Sequence, residues 1–397
     1  MKDSTFITRV VLKNYKSIAA CDVRLQPLTF LVGRNGSGKS NFLDALRFVA
    51  DALNSSLDHA LRARGGIDDV QHRSLGHSNL NIELEFTLHN STTGYYAFSI
   101  ESRSRGRYVV QTEECKIQRT QDNTPEAYFR VANGKTIDTS VKVAPAAVND
   151  RLYLVNAAGL PEFRPIYDAL SRMGFYNLNP NIIRDLQDPD SGNILMQDGS
   201  NLTSVFKQLS SDVKKNIEEY LAVIVPGVHK VYARKCGPKE TLQFRQYVAE
   251  DKDPLIFYGN NMSDGTLHAL GILVALFQGN QKAEERVTLV GIEEPEIALH
   301  PGAVAVLLDS LRDAAHRTQV IVTTHSPDLL EDKHLDVESI LAVEADNGNT
   351  VIAPVDDASK SVVRDRLFTV GELLRSNQLQ PDPAVLPAAK EKQLSLP

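Results

Sequence analysis

The stretch "LTFLVGRNGSGKSN" restricts the fold of this chain more than any other segment. It passes from an apolar run through a glycine-rich turn into a segment of helical spacing, and it carries Gly33-x4-Gly38-Lys39-Ser40. Such a loop works only between a strand and a helix. Its backbone N–H groups must converge on phosphate oxygens, and the helix N-terminus must face the same anion. Gly36 and Gly38 let the backbone wrap, and Asn35, Ser37 and Asn41 complete the expected nucleotide cradle. Lys39 is expected to reach the β- and γ-phosphates, and the Ser40 hydroxyl to join a Mg²⁺ shell. The predicted fold is α/β, built around a P-loop, with ATP as substrate and Mg²⁺ as cofactor.

"VTLVGIEEPE" (287–296) is a hydrophobic strand ending in two acids. Parallel strands of α/β sheets place their chemistry at their C-terminal tips. Glu293 is expected to hold Mg²⁺, and Glu294 to orient or deprotonate an attacking water. The competing reading is an acidic helix start before Pro295. "QVIVTTHSPDLL" (319–330) repeats the pattern with His325 at the tip, where it can hydrogen-bond a γ-phosphate and sense Glu294. In "NNMSDGTLHALGILVAL" (260–276), Ser263 and Asp264 precede an apolar helix with Leu267, Leu270, Leu273 and Val274 on its periodic face. Taken alone, that segment is either a helix cap or a phosphate grip.

A chain of 397 residues can hold two or three domains, or one large α/β domain with insertions. A formal net charge of −7 argues against coating nucleic acid by bulk attraction. The local clusters "RARGG" (62–66), "QHR" (71–73) and "SRSRGR" (102–107) read as solvated loops and a hairpin tip, or as a local nucleic-acid contact. Cys21, Cys115 and Cys236 are too far apart for a disulfide framework or a zinc cluster, which suits a reduced cytoplasm. Apolar runs such as "LGILVALF" (270–277) fall short of a membrane span, and "MKDSTFITRV" has no secretory h-region.

Period-two patterning from about 79 to 143 predicts an antiparallel β lobe, and 161–222 reads as mostly helical. "VHKVYARK" with "TLQFRQYV", and later residues 338–355, read as hairpins. Helix–strand–helix–strand order after residue 263 implies a parallel sheet with helical cover. The expected division is an N-terminal ATPase part with the β lobe (1–150), an inserted helical connecting segment (151–258), a C-terminal ATPase part (259–380) and a poorly ordered tail (381–397). No internal repeat and no long heptad run is present.

With these residues in place, the chain resembles an ABC-type ATPase of the RecF/SMC/OLD class. "VVLKNYKSIAACDVRLQPLTFLVGRNGSGKSNFLDAL" is similar to that family's first strand pair and P-loop, "GIEEPEIALHP" to its Walker B and D-loop, and "IVTTHSPDLL" to its switch-histidine segment. "GFYNLNPNIIRDLQ", "QDGSNLTSVFKQL" and "FTVGELLRSNQL" resemble, more narrowly, connecting segments of stand-alone bacterial AAA_21-type ATPases. The resemblance makes Ser263-Asp264-Gly265 the signature motif, gripping in trans the γ-phosphate held by a second copy, with Asp264 where transporters carry glycine. It assigns the Q-loop metal contact to Gln197, with Gln71 as competitor, and puts Glu293 where aspartate is usual. His300 falls in the D-loop with its role open.

The implied activity is ATP hydrolysis by a molecular switch that forms a homodimer or higher assembly. Its output would be a separately encoded effector, in anti-phage defence or DNA repair. The alternative is a RecF-like DNA clamp, which leaves a nucleic-acid partner open. About seventy residues follow His325 without a convincing acidic set, so OLD-type nuclease activity in this same chain is not expected.

Overall fold

Alternation of buried and half-exposed residues near the N-terminus produces β1 (Ile7–Tyr15) and β2 (Ile18–Arg24), and the apolar run before the glycine loop produces β3 (Leu28–Val32). The computed structural model describes residues 6–72, 79–88, 92–119, 126–248, 253–280 and 287–385. Arg73 of the second basic cluster and the tail beyond 385 lie outside them. Two compact units form, each from separated segments: a P-loop unit of 5–173, 336–368 and 376–397, and a carboxylate unit chiefly of 174–335 and 369–375. The expected division, by contrast, is linear along the chain.

In the P-loop unit, α1 (Lys39–Asn54) follows the glycine loop, then α2 (Leu57–Arg62) and α3 (Ile67–Val70). Next come β4 (Leu80–Leu88), β5 (Thr92–Arg103), β6 (Arg107–Arg119), β7 (Ala127–Ala132) and β8 (Lys135–Thr139). These five strands join β1 and β2 in a seven-stranded antiparallel sheet of order β2-β1-β4-β5-β6-β7-β8. The predicted β lobe therefore exists and extends to the first strand pair. One face of α1 packs on it, with the Phe48 ring 6.1 Å from Tyr15 and 6.4 Å from Phe98. The short helices α4 (Tyr153–Ala157) and α5 (Arg164–Ser171) follow.

The carboxylate unit holds β9 (Met173–Tyr176), α6 (Pro180–Arg184), α7 (Leu202–Gln208) and α8 (Ser211–Ile224). A three-stranded antiparallel sheet follows: β10 (Val228–Cys236), β11 (Lys239–Gln246) and β12 (Leu255–Tyr258). Then come α9 (Asp264–Phe277), β13 (Leu289–Glu293), α10 (Pro301–Ala315) and β14 (Gln319–Thr324). α9 is buried along Thr266–Phe277, which fits its nearly uninterrupted apolar sequence. β13 and β14 pair in parallel, so Glu293 lies opposite Thr323 at their C-terminal ends. Back in the P-loop unit, β15 (Ile340–Asp346) pairs in parallel with β3, and β16 (Asn349–Pro354) folds back on β15 as the predicted hairpin. No helix among the described residues is long and apolar enough to cross a membrane.

The "RARGG" cluster is not the expected solvated loop: Arg62 ends α2 and Arg64 turns inward. Arg64 is almost fully buried, with its guanidinium on Asp44 (3.0 Å) and Asp51 (2.8 Å), while Arg62 pairs with Asp58 at 2.8 Å. Asp44 also takes Arg47 (2.7 Å), Lys16 (2.5 Å) and the Tyr15 hydroxyl (2.8 Å). Those neighbours hold its carboxyl below the usual range against the opposing effect of burial. "SRSRGR" forms the exposed tip between β5 and β6, where Arg103 pairs with Glu101 at 3.0 Å.

Candidate functional site

The glycine loop lies between β3 and α1, the context its mechanics require. Gly36 and Gly38 have φ of 78° and 99°, a region that side chains with a Cβ rarely adopt. At Gly38 space is also decisive, because a Cβ there would lie 1.9 Å from Thr350 Oγ1. Thr350 belongs to β16 and braces the loop: its hydroxyl donates to the Ser37 carbonyl (2.9 Å) and shares a hydrogen bond with Ser17 Oγ (2.6 Å). Ser17 Oγ in turn accepts from Asn41 Nδ2 at 2.6 Å, so Asn41 steadies the turn from within the unit. Lys39 is buried, and its ammonium donates to the carbonyls of Gly33 (2.8 Å) and Arg34 (3.0 Å), which holds it across the mouth of the loop. Asn35, Gly36 and Ser40 are exposed, whereas Ser37 is buried with its hydroxyl unpartnered among the described residues.

In the carboxylate unit, the chain turns sharply after β13. Glu294 has φ of 44°, a conformation that costs a non-glycine residue on the order of 1–3 kcal/mol. Its N–H donates to the Thr323 carbonyl (2.9 Å) and approaches Thr323 Oγ1 (3.3 Å), which fixes the turn. The turn aims the carboxylate at His325, whose Nδ1 is 3.0 Å from Glu294 Oε1. The two partners thus sit at the tips of paired parallel strands and remain partly open to solvent. Glu296 points back instead: Oε1 accepts from Thr324 Oγ1 at 2.5 Å, Oε2 is buried without a partner among the described residues, and burial raises its pKa. Glu293, half-buried at the end of β13, and the exposed Ser40 hydroxyl are oxygen donors of the kind a hard divalent cation takes.

The Ser263 turn does cap α9. Ser263 Oγ accepts from the Thr266 N–H (3.2 Å) and pairs with Thr266 Oγ1 (2.8 Å). Asp264 is clasped by Arg184 of α6, whose guanidinium also donates to the Met262 carbonyl at 3.2 Å. Gly265 has to be glycine, because a Cβ would stand 2.4 Å from the Ala298 carbonyl oxygen. One turn further along α9, buried His268 donates to the Pro295 carbonyl. Burial lowers its pKa, and Nε2 has no partner among the described residues, which leaves Nδ1 as the donor. The capped end of α9 and the Glu294–Ala298 turn are therefore joined at two points within one unit.

Gln197 is exposed in a turn of the carboxylate unit, while its competitor Gln71 is buried in the P-loop unit and bridges to Tyr15. The adjacent His72 bonds Asn349, next to Thr350, at 2.8 Å. The imidazole of His300 accepts from the Gly302 N–H at 3.1 Å and caps α10. Sequence reasoning missed Thr350, Ser17, Arg184, His268 and Glu296. Ser17, Arg184, His268 and Glu296 each lie inside a quoted motif but carried no signal of their roles there, and Thr350 lies in none.

These two sets of groups sit on a known scaffold. The SMC head bound to the C-terminal winged-helix domain of ScpA superposes with a TM-score of 0.54 at 15% identity, covering 89% of this chain and 99% of that one. Together with the motifs, that fold defines the class, an ABC-type P-loop ATPase of the RecF/SMC/OLD kind. Within the class, residues 28–331 match the AAA_21 model, described as "AAA domain, putative AbiEii toxin, Type IV TA system", and the chain belongs to that family. It is 22% identical over 378 residues to the Old nuclease of Escherichia phage P2, covering 89% of this chain and 63% of that protein. It is also 22% identical over 348 residues to Endonuclease GajA of Bacillus cereus, covering 81% and 56%. The chain thus spans less than two thirds of the length of these relatives.

Proposed function

We propose that this chain is an ATP-driven molecular switch. ATP binds at Asn35–Asn41 with its phosphates on the loop N–H groups and Lys39, and Mg²⁺ is held by Ser40 and Glu293, with a glutamine, Gln197 or Gln71, completing its shell. Two copies, or a higher assembly, enclose the nucleotides, each γ-phosphate meeting the Ser263–Gly265 turn of the facing copy. Glu294 takes the proton of the attacking water and His325 steadies the ionised carboxylate. The observation that carries the reading is the 3.0 Å Glu294–His325 pair, a carboxylate base oriented by an imidazole at the tips of parallel strands.

Assembly and opening would act on a separately encoded effector, in anti-phage defence or DNA repair and in the cytoplasm. Support comes from the toxin–antitoxin wording of the family and from nuclease relatives. A RecF-like clamp, whose DNA affinity is set by ATP, is the second reading.

Glu294→Gln is expected to keep nucleotide binding, to lose at least about a hundredfold in hydrolysis, and to accumulate as an ATP-dependent dimer or larger species in light scattering. An unchanged mass with and without ATP, while the wild type hydrolyses normally, overturns the sandwich. Ser263→Arg is expected to bind ATP without hydrolysing it, and mixing it with Lys39→Ala should restore at most one composite site.

A further inference from the structure

The sheet β10–β11–β12 turns one face inward through Val231, Leu242 and Phe244, all buried. Strand register assembles the other face. Lys230 lies opposite Arg245 and Tyr232 opposite Gln243, and on the next strand Ile256 and Tyr258 oppose the same two residues of β11. The guanidinium carbons of Arg234 and Arg245 stand 5.3 and 5.2 Å from the centre of the Tyr232 ring. Ile256 is 54% and Tyr258 47% exposed, large values for such side chains on a sheet.

The two arginines on this face carry charge that no carboxylate among the described residues offsets. Lys230 is paired with Glu218 at 2.6 Å, but Arg234 bonds only the neutral Gln243 (2.6 Å). Neither Arg234 nor Arg245 has a carboxylate partner among the described residues, although the chain as a whole is acidic. Two guanidinium planes and two phenol rings gathered on one face of the sheet match unpaired nucleotides. Phosphates are drawn to the arginines, and splayed bases stack on rings and guanidinium planes. A duplex keeps its bases stacked inside and offers this face phosphates alone.

We infer that the outer face of β10–β12 is a platform for single-stranded nucleic acid, built on Tyr232, Arg234, Arg245 and Tyr258. The inference does not depend on ATP hydrolysis. Its position gives it a consequence for the switch, since β12 runs into the Ser263 turn through residues 259–262 alone.

The test titrates the full chain into a fluorescein-labelled oligothymidylate of about 20 nucleotides, longer than one small binding module covers, with a duplex of equal length beside it. Anisotropy is expected to show saturable single-strand binding that exceeds duplex binding. Tyr258→Ala should weaken it about tenfold, with Tyr258→Phe restoring it. Changing Arg234 and Arg245 together to Gln should lower the slope of log affinity against log salt by about 1.4, two phosphates' worth for a single strand. Melting by circular dichroism and binding of a fluorescent ATP analogue at the P-loop should be unchanged in these variants, which shows that they fold. No saturable binding, wild-type affinity in the well-folded variants, or a preference for duplex overturns the proposal. So does binding of polyglutamate, lost in the arginine variant, without any binding of the oligonucleotide; the face would then be a docking surface for an acidic protein.

Discussion

Glu113, in the middle of β6, has no exposed surface, yet its carboxyl accepts the Tyr96 hydroxyl (3.0 Å) and the N–H groups of Leu154 (2.8 Å) and Tyr153 at the start of α4. Burial is the larger effect and pushes its pKa up to about 7, with the three donors opposing it. A carboxyl that binds its proton more tightly folded than unfolded favours folding fully below its unfolded pKa, and that contribution is lost as pH rises to about 7. The shift amounts to roughly 3 kcal/mol. Glu113→Gln, which cannot ionise, is therefore expected to gain melting temperature relative to wild type between pH 5 and pH 8; a constant difference across that range would contradict the assignment. Thr350 makes a second argument at this scale. Thr350→Val keeps the shape but strips the Ser37 carbonyl of its donor, so ATP affinity measured with a fluorescent analogue should fall about fivefold while the fold survives. Lys39, Glu294 and His325 were readable because each lies inside a contiguous motif. Thr350 was not, because it meets the loop from 313 residues further along the chain.

α9 began as an ambiguous element, either capped or gripping an anion, and the structure shows its cap plainly. What no pattern could reveal is how the helix is tied down. Arg184 reaches Asp264 from 80 residues upstream, and His268 and Gly265 contact a turn made by residues 295–298. Helical periodicity says that His268 lies on a buried helix; it does not say which carbonyl its ring meets. The tie predicts that His268 positions Glu294 through the Pro295 turn. His268→Ala should lower kcat about tenfold with KM nearly constant, and His268→Asn, which keeps a donor near Nδ1, should recover most of it. A loss confined to thermal stability, with kcat intact, would reduce His268 to a packing residue. Glu296 was equally illegible in role, since its spacing suggests a third solvent-facing acid whereas the Thr324 hydroxyl draws it inward.

For the molecule as a whole, the order of elements was legible and their grouping was not. Alternation predicted the β lobe, the helix–strand order after 263 and both hairpins, because period reports which face of an element is buried. It is silent about which distant segment supplies the neighbour. The first strand pair therefore joined the β lobe unforeseen, and residues 336–368 joined the P-loop unit rather than their sequence neighbours. The same grouping keeps Gln71 with Lys39 and Ser40 and puts Glu293 and Gln197 together in the other unit. It also carries a consequence for biosynthesis. The glycine loop leaves the ribosome first, and the threonine that props it follows 313 residues later, on β16. A nascent, stalled or clipped chain lacking that hairpin has the phosphate-binding residues without their brace. Competence for nucleotide thus waits on the synthesis of β16, long after the loop itself has been made.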